Sequence, residues 1–204
     1  MEDFGCDSRA PEGRPNFLRE SGRSAILEQV AHVLVEGGLA MSMSDLAEAA
    51  GIGRATLYRY FPNRQALLDS IISRAVGDLK SLVASSASNE LQTRESLTRF
   101  ARAVLAKAGI ALLFMRERIV VDKAILEKTI VAPLNAMIED AQNVGIFERN
   151  IPSRAITFFY LGLLRAGIML VAEDSSTVEE SAAHVVRLLF DGCGRRSDAE
   201  SPKG

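Results

Sequence analysis

The sequence predicts an all-α protein of about nine helices, and three observations carry that prediction. Apolar residues recur at three- and four-residue intervals from end to end, and strand-like alternation is nearly absent. Residues that cap helices stand just ahead of several of these stripes, while Gly, Pro and Ser/Asn-rich stretches separate them. The 204 residues are 48% hydrophobic and 25% charged, an ordinary globular balance with enough apolar mass for a core.

The polar, Pro/Gly-bearing opening predicts a flexible arm over residues 1–20. The first helix is expected over 22–36, with Ile26, Val30, Val33 and Leu34 on one face and Gly37-Gly38 as its stop. A short second helix follows over 43–50, where Ser42 and Asp45 form a capping box with Asp in the usual Glu place. Gly51-Ile52-Gly53 makes a tight connection, and Gly53 heads a third short helix over 54–60, which stops before Pro62. Asn63 caps a long helix reaching about residue 85, with Leu67, Leu68, Ile71, Ile72, Ala75, Leu79 and Leu82 among its apolar positions. After a loop at 85–90, helices are expected over 91–108, 109–117 and 120–144, the last kinked by Pro133. A loop over 145–152 leads to an apolar helix over 153–173. The final helix, over 177–191, carries the stripe Val178, Ala182, Val185, Val186 and Leu189 and an expected capping box at Ser176 and Glu179. A polar tail, 195–204, closes the chain.

Charge and composition limit the functions available. The net charge is −2, so any surface for a polyanion must be local. Cys6 and Cys193 are too few and too terminal for a disulfide framework, which points to a reducing cytoplasm. His32 and His184 have no ligand spacing around them, so no metal and no cofactor is expected. Residues 155–172 approach the length needed to cross a bilayer, but Arg165 lies inside the run. An apolar helix of this kind suits burial in a core or a subunit interface, and no membrane partner is expected.

Two short helices joined by a tight glycine turn, with a third beneath, are the pattern of a helix-turn-helix. The second helix of such a pair enters the DNA major groove. Between Glu48 and Asp69 there is no acid, while Arg54, Arg59, Arg64, Tyr58 and Tyr60 fall in that window. A helix lying between two phosphate ribbons cannot carry acids outward, which accounts for the asymmetry. Leu57 and Phe61 would anchor it and leave Arg54, Ala55, Thr56, Arg59 and Tyr60 outside. Arginine pairs with guanine and Thr56 can meet a base, while Tyr58, Tyr60 and Arg64 can reach phosphates.

The stretch "MSMSDLAEAAGIGRATLYRYFPNRQALL" resembles the DNA-binding region of the TetR (tetracycline-repressor) family of bacterial regulators. The matching pieces are Ala50-Gly51, Leu57-Tyr58, Tyr60-Phe61, and Arg64 with Leu67, and they cover about residues 20–70. The resemblance implies a homodimer that binds operator DNA through N-terminal domains and a C-terminal domain that binds a small-molecule effector. It places phosphate and base contacts on Ser42, Ser44, Arg54, Thr56, Tyr58, Tyr60 and Arg64. Gly53 departs from the family's frequent serine, so a capping hydroxyl is lost. Arg14, Arg19 and Arg23 could add contacts from the arm. The division expected is a DNA-binding domain over 21–66 and an effector and dimerisation domain over 67–194.

In the larger domain, Gly162 and Ala166, four apart, permit close helix approach, and with the final helix they suggest a four-helix subunit interface. That interface is expected to use Gly162, Ala166, Val178, Ala182, Val185, Val186 and Leu189. Candidate effector-pocket residues are Phe100, Val104, Phe114, Met115, Met137, Phe158, Phe159 and Met169, although aromatic and Met residues at helical spacing are more often simple core. Arg116 and Arg165 could hold an anionic ligand group or pair with a nearby acid. An enzyme is the competing class, but the chain has no phosphate loop, nucleophile elbow or HExxH pair. The reading is a ligand-responsive repressor, with an activator or a corepressor-dependent regulator as alternatives.

Overall fold

The computed structural model describes residues 14–82, 89–119 and 121–193, with side chains from Glu20 onward. The regular elements among the described residues are helices: α1 Arg14–Gly37, α2 Met43–Ala49, α3 Arg54–Tyr60, α4 Arg64–Lys80, α5 Glu90–Leu105, α6 Ala108–Arg116, α7 Lys123–Leu126, α8 Ala132–Asn143, α9 Ser153–Ala172 and α10 Val178–Cys193. A π-helical turn, Glu127–Val131, joins α7 to α8 without a break. The chain divides into two compact units, Met1–Leu68 and Asp69–Gly204, and α4 runs through the boundary.

Helix α1 begins earlier than the sequence suggests. Residues 14–20, expected in the flexible arm, belong to it, while 1–13 and the polar tail lie outside the described residues. The polar run 19–24 separates residues 14–18 from the Ile26–Leu34 stripe, so the periodicity does not carry back to them. In the first unit Leu27, Val30, Leu34, Leu46, Leu57, Phe61 and Leu67 are buried. Gly51, at φ +64°, takes the left-handed turn between α2 and α3, a conformation that strains a side-chain-bearing residue.

The second unit is built around α9. Helix α10 packs on α9 and α5, and α6 and α8 also lie against α9. The core includes Leu97, Phe100, Leu105, Leu134, Met137, Ile156, Tyr160, Leu164, Val185, Leu189 and Phe190. Gly167 permits the close approach inside the subunit, since a Cβ there would stand 3.0 Å from Leu105 Cδ2. Tyr160 is buried, its hydroxyl donates to the Leu97 carbonyl, and burial pushes its pKa up.

Three expectations about this unit are corrected. Pro133 does not interrupt a helix. It sits in the first turn of α8, directly after the π turn, where the helical register changes. The capping box of α10 is shifted by one residue to Thr177 and Glu180: Thr177 N donates to Glu180 Oε2 at 3.0 Å, and Glu180 N to Thr177 Oγ1 at 3.2 Å. Most importantly, Ala182, Val185, Val186 and Leu189 are buried in the core of the chain itself, so they offer no surface to a partner. Val178 is half-buried against the same core.

What α9 and α10 leave outside is different. Phe158, Phe159, Gly162, Arg165, Ala166, Met169 and Leu170 lie exposed along α9, and Ala183, His184, Arg187 and Leu188 along α10. A Cβ on Gly162 would meet nothing within 4 Å. Helix α9 is long and apolar enough to cross a membrane by length and composition, and 33% of its most apolar window is buried in the subunit.

Candidate functional site

The short helix α2 begins on the expected capping box. Ser42 N donates to Asp45 Oδ2 at 2.9 Å, and Asp45 N donates to Ser42 Oγ at 3.2 Å. The Ser42 backbone N–H, and then its hydroxyl, hold the Asp45 carboxyl below the usual aspartate range. A carboxyl with a lowered folded pKa stabilises at pH values above its unfolded value, and that contribution is lost as pH falls through the folded value. Asp45→Asn should therefore lower the melting temperature at neutral pH and flatten its acid limb below about pH 4. Equal melting of both proteins across that range would show that the box contributes nothing.

Helix α3 presents a clear division of faces. Leu57 and the following Phe61 are fully buried, whereas Arg54, Ala55, Tyr58 and Arg59 are exposed and Thr56 is half-buried. The spacing i, i+1, i+4, i+5 puts the exposed four on one side of the helix. The Arg54 guanidinium lies 5.8 Å from the Tyr58 ring centroid, and Arg59 lies 5.3 Å from that of Tyr60. Gly53 makes no side-chain cap bond, as its missing hydroxyl requires. Asn63 caps α4, its Oδ1 accepting from Ala66 N at 2.8 Å. Ser42 is exposed and Ser44 half-buried at the head of α2.

Two expected outward contacts turn inward. Tyr60 is half-buried, and its hydroxyl would stand 3.2 Å from a Cβ placed on Gly22 of α1, so the ring packs on the domain rather than projecting with Arg59. The Arg64 guanidinium donates to the carbonyls of Leu39 and Met41, fastening the start of α4 to the loop before α2. Its work here is positional, which a basic residue at a helix start did not disclose. Arg23 stacks its guanidinium 5.2 Å from the Phe61 ring centroid. The side chains of Arg14 and Arg19 lie outside the described residues.

The second unit holds a cavity of about 230 Å³. Ile72, Ala75, Val76 and Leu79 of α4 form one wall; Val104 near the end of α5, Lys107 at the head of α6, and Ile110, Ala111, Phe114 and Met115 of α6 form the other, with Ile119 and Val121 also lining it. Of the candidates read from sequence, Val104, Phe114 and Met115 line it. Phe100 and Met137 are core, while Phe158, Phe159, Arg165 and Met169 face outward from α9 and Arg116 is exposed. Sequence reading missed Lys107 and the α4 wall. A lysine standing between the apolar stripes of α5 and α6 was the available signal. An adjoining groove of about 400 Å³ shares Ile72, Val76 and Val121 with this cavity and adds Asp69, Ser73, Lys80, Asp122 and Thr129. Among the described residues no group of three or more His, Cys, Asp or Glu could hold a metal ion.

Comparison with known proteins agrees with this geometry. The family model described as bacterial regulatory proteins, tetR family, matches residues 26–71. The HTH-type transcriptional regulator EthR of Mycobacterium tuberculosis is 37% identical over 94 residues, which cover 44% of this chain and 43% of that protein. The HTH-type transcriptional repressor LfrR of Mycolicibacterium smegmatis is 44% identical over 61 residues, 30% of this chain and 31% of that one. The matched segments thus span less than half of either relative. The crystal structure of LfrR in complex with proflavine superposes with a TM-score of 0.64 at 24% identity, covering 86% of this chain and 97% of that one, a likeness of fold. Residues 26–71 thus match the tetR family of bacterial regulatory proteins by sequence, and most of the chain shares the fold of a solved member.

Proposed function

We propose that the chain is a ligand-responsive transcriptional repressor, not an enzyme, that acts in the cytoplasm and binds a palindromic operator as a homodimer. The observation that carries this reading is the outer face of α3: Arg54, Ala55, Tyr58 and Arg59 exposed together on a helix without an acid, backed by buried Leu57 and Phe61. Arg54 and Arg59 read base edges, with Thr56 beside them, while Ser42, Ser44 and Tyr58 hold phosphates. The dimer forms through the exposed apolar face of α9 and α10, with Gly162 and Ala166 at its closest approach and Leu188 in place of the buried stripe. That apolar face is a subunit contact rather than a lipid contact.

The cavity behind α4 is the effector site. Because α4 is one continuous helix from Arg64 to Lys80, a ligand that moves its Ile72–Leu79 wall also moves the segment leading from the DNA-binding unit. Effector binding then shifts the population toward dimers whose recognition helices no longer match the operator spacing.

The test is binding to DNA selected from a random pool, across a salt series and against scrambled sequence. Sequence-selective binding that survives moderate salt better than the control is expected. Arg59→Ala should weaken operator binding by about 1–3 kcal/mol and relax preference at one base pair. Unchanged affinity and selectivity in that variant would remove Arg59 from the reading surface.

A further inference from the structure

The charge of the effector cavity is one-sided. Among the described residues its lining is apolar except for Lys107 and includes no acid. The Lys107 ammonium lies 3.0 Å from Asp78 Oδ2, yet Asp78 is not part of the lining. The pair is no sealed ion pair, for the two side chains are 37% and 49% exposed, and a bridge so placed contributes little. A ligand in the cavity therefore lies beside a lysine whose ammonium is held only by a weak, solvent-screened partner.

Each ligand class fares differently there. A permanent cation would be desolvated beside a like charge with no acid to receive it. A neutral apolar molecule would bury area against Ile72, Phe114 and their neighbours, but would leave Lys107 to Asp78. A carboxylate on an apolar body gains the same area and also forms a charge-assisted hydrogen bond to Lys107. We infer that this cavity takes an amphipathic monocarboxylate, its apolar body between α4 and α6 and its carboxylate on the Lys107 ammonium in place of Asp78. This identification of the ligand class rests on the reading of the cavity as the effector site.

Three probes of one chain length separate the classes: decanoate, decanol and decyltrimethylammonium, each kept below its micelle threshold and titrated calorimetrically into the full chain. Decanoate should bind about tenfold more tightly than either of the others, the usual gain from one charge-assisted hydrogen bond. Lys107→Met should bring decanoate down to the decanol level without changing decanol, Lys107→Arg should keep the preference, and Asp78→Asn should raise decanoate affinity. Equal binding of decanoate and decanol, tightest binding of the cation, or undiminished decanoate binding in Lys107→Met would overturn the inference. If Lys107→Met does not fold, the probe series and Asp78→Asn decide it alone. Operator release, followed in parallel by fluorescence anisotropy, keeps the two readings apart. Decanoate that binds without releasing DNA supports the ligand class and ends the effector reading. A chain that ignores decanoate but releases DNA with another compound ends the ligand class and keeps the effector reading.

Discussion

Replacing Phe159 and Leu188 together with glutamate should yield a folded monomer that no longer holds a palindromic operator. Both side chains are 56% exposed in the subunit, so neither change opens a hole in its core. Around them on α9 lie Phe158, Met169 and Leu170, an apolar surface that water would otherwise cover. Four carboxylates brought together in a symmetric dimer would repel one another and lose solvent, and association would fail. A monomer grips one half-site. The second half-site then ceases to be an intramolecular partner, and affinity should fall on the order of 10²–10⁴-fold. Sedimentation velocity reads the mass, circular dichroism the retained helix, and a gel shift the operator. A variant that stays dimeric would place the subunit interface elsewhere on the molecule.

Phe61→Ala should unfold the DNA-binding unit while leaving the second unit folded. The ring is fully buried, lies 6.5 Å from Tyr60 centroid to centroid and carries the Arg23 guanidinium above it. Removing such a ring costs about 3–5 kcal/mol, the transfer free energy plus the cavity left behind. A unit this small buries too little surface to absorb that loss. Hydrogen exchange should show protection lost in α1–α3 and retained in α9 and α10. Uniform loss in both units would instead mean that the chain unfolds as one cooperative body.

The two predictions draw on different sources. Phe61 was legible as an anchor because it stands four residues from Leu57, one position past the end of a short helix, a spacing that returns the chain to the face Leu57 buries. Leu188 was not. It adjoins Leu189, and both are equally apolar, but one lies in the core and the other faces solvent. The same ambiguity ran through α9, where Phe158 and Phe159 read as pocket residues and Tyr160, beside them, is the one that the fold buries.

By itself the sequence determined what short-range chemistry determines. The Ser42–Asp45 box, the left-handed turn at Gly51, the Asn63 cap and the burial of Leu57 each depend on residues within a few positions. Those local choices fix a helix-turn-helix, and the acid-free outer face of α3 gives it a partner class. Tertiary structure decided the rest. It turned the Arg64 guanidinium onto two carbonyls twenty-odd residues away, set Tyr60 against Gly22, and let a π turn carry the path ahead of Pro133. It also chose which apolar residues became core, cavity wall or outer face. The hydrophobic effect acts on area removed from water and has no direction, so a periodic stripe states that a surface will be covered without naming what covers it. Only the packing of α5, α6, α9 and α10 against one another supplies that answer.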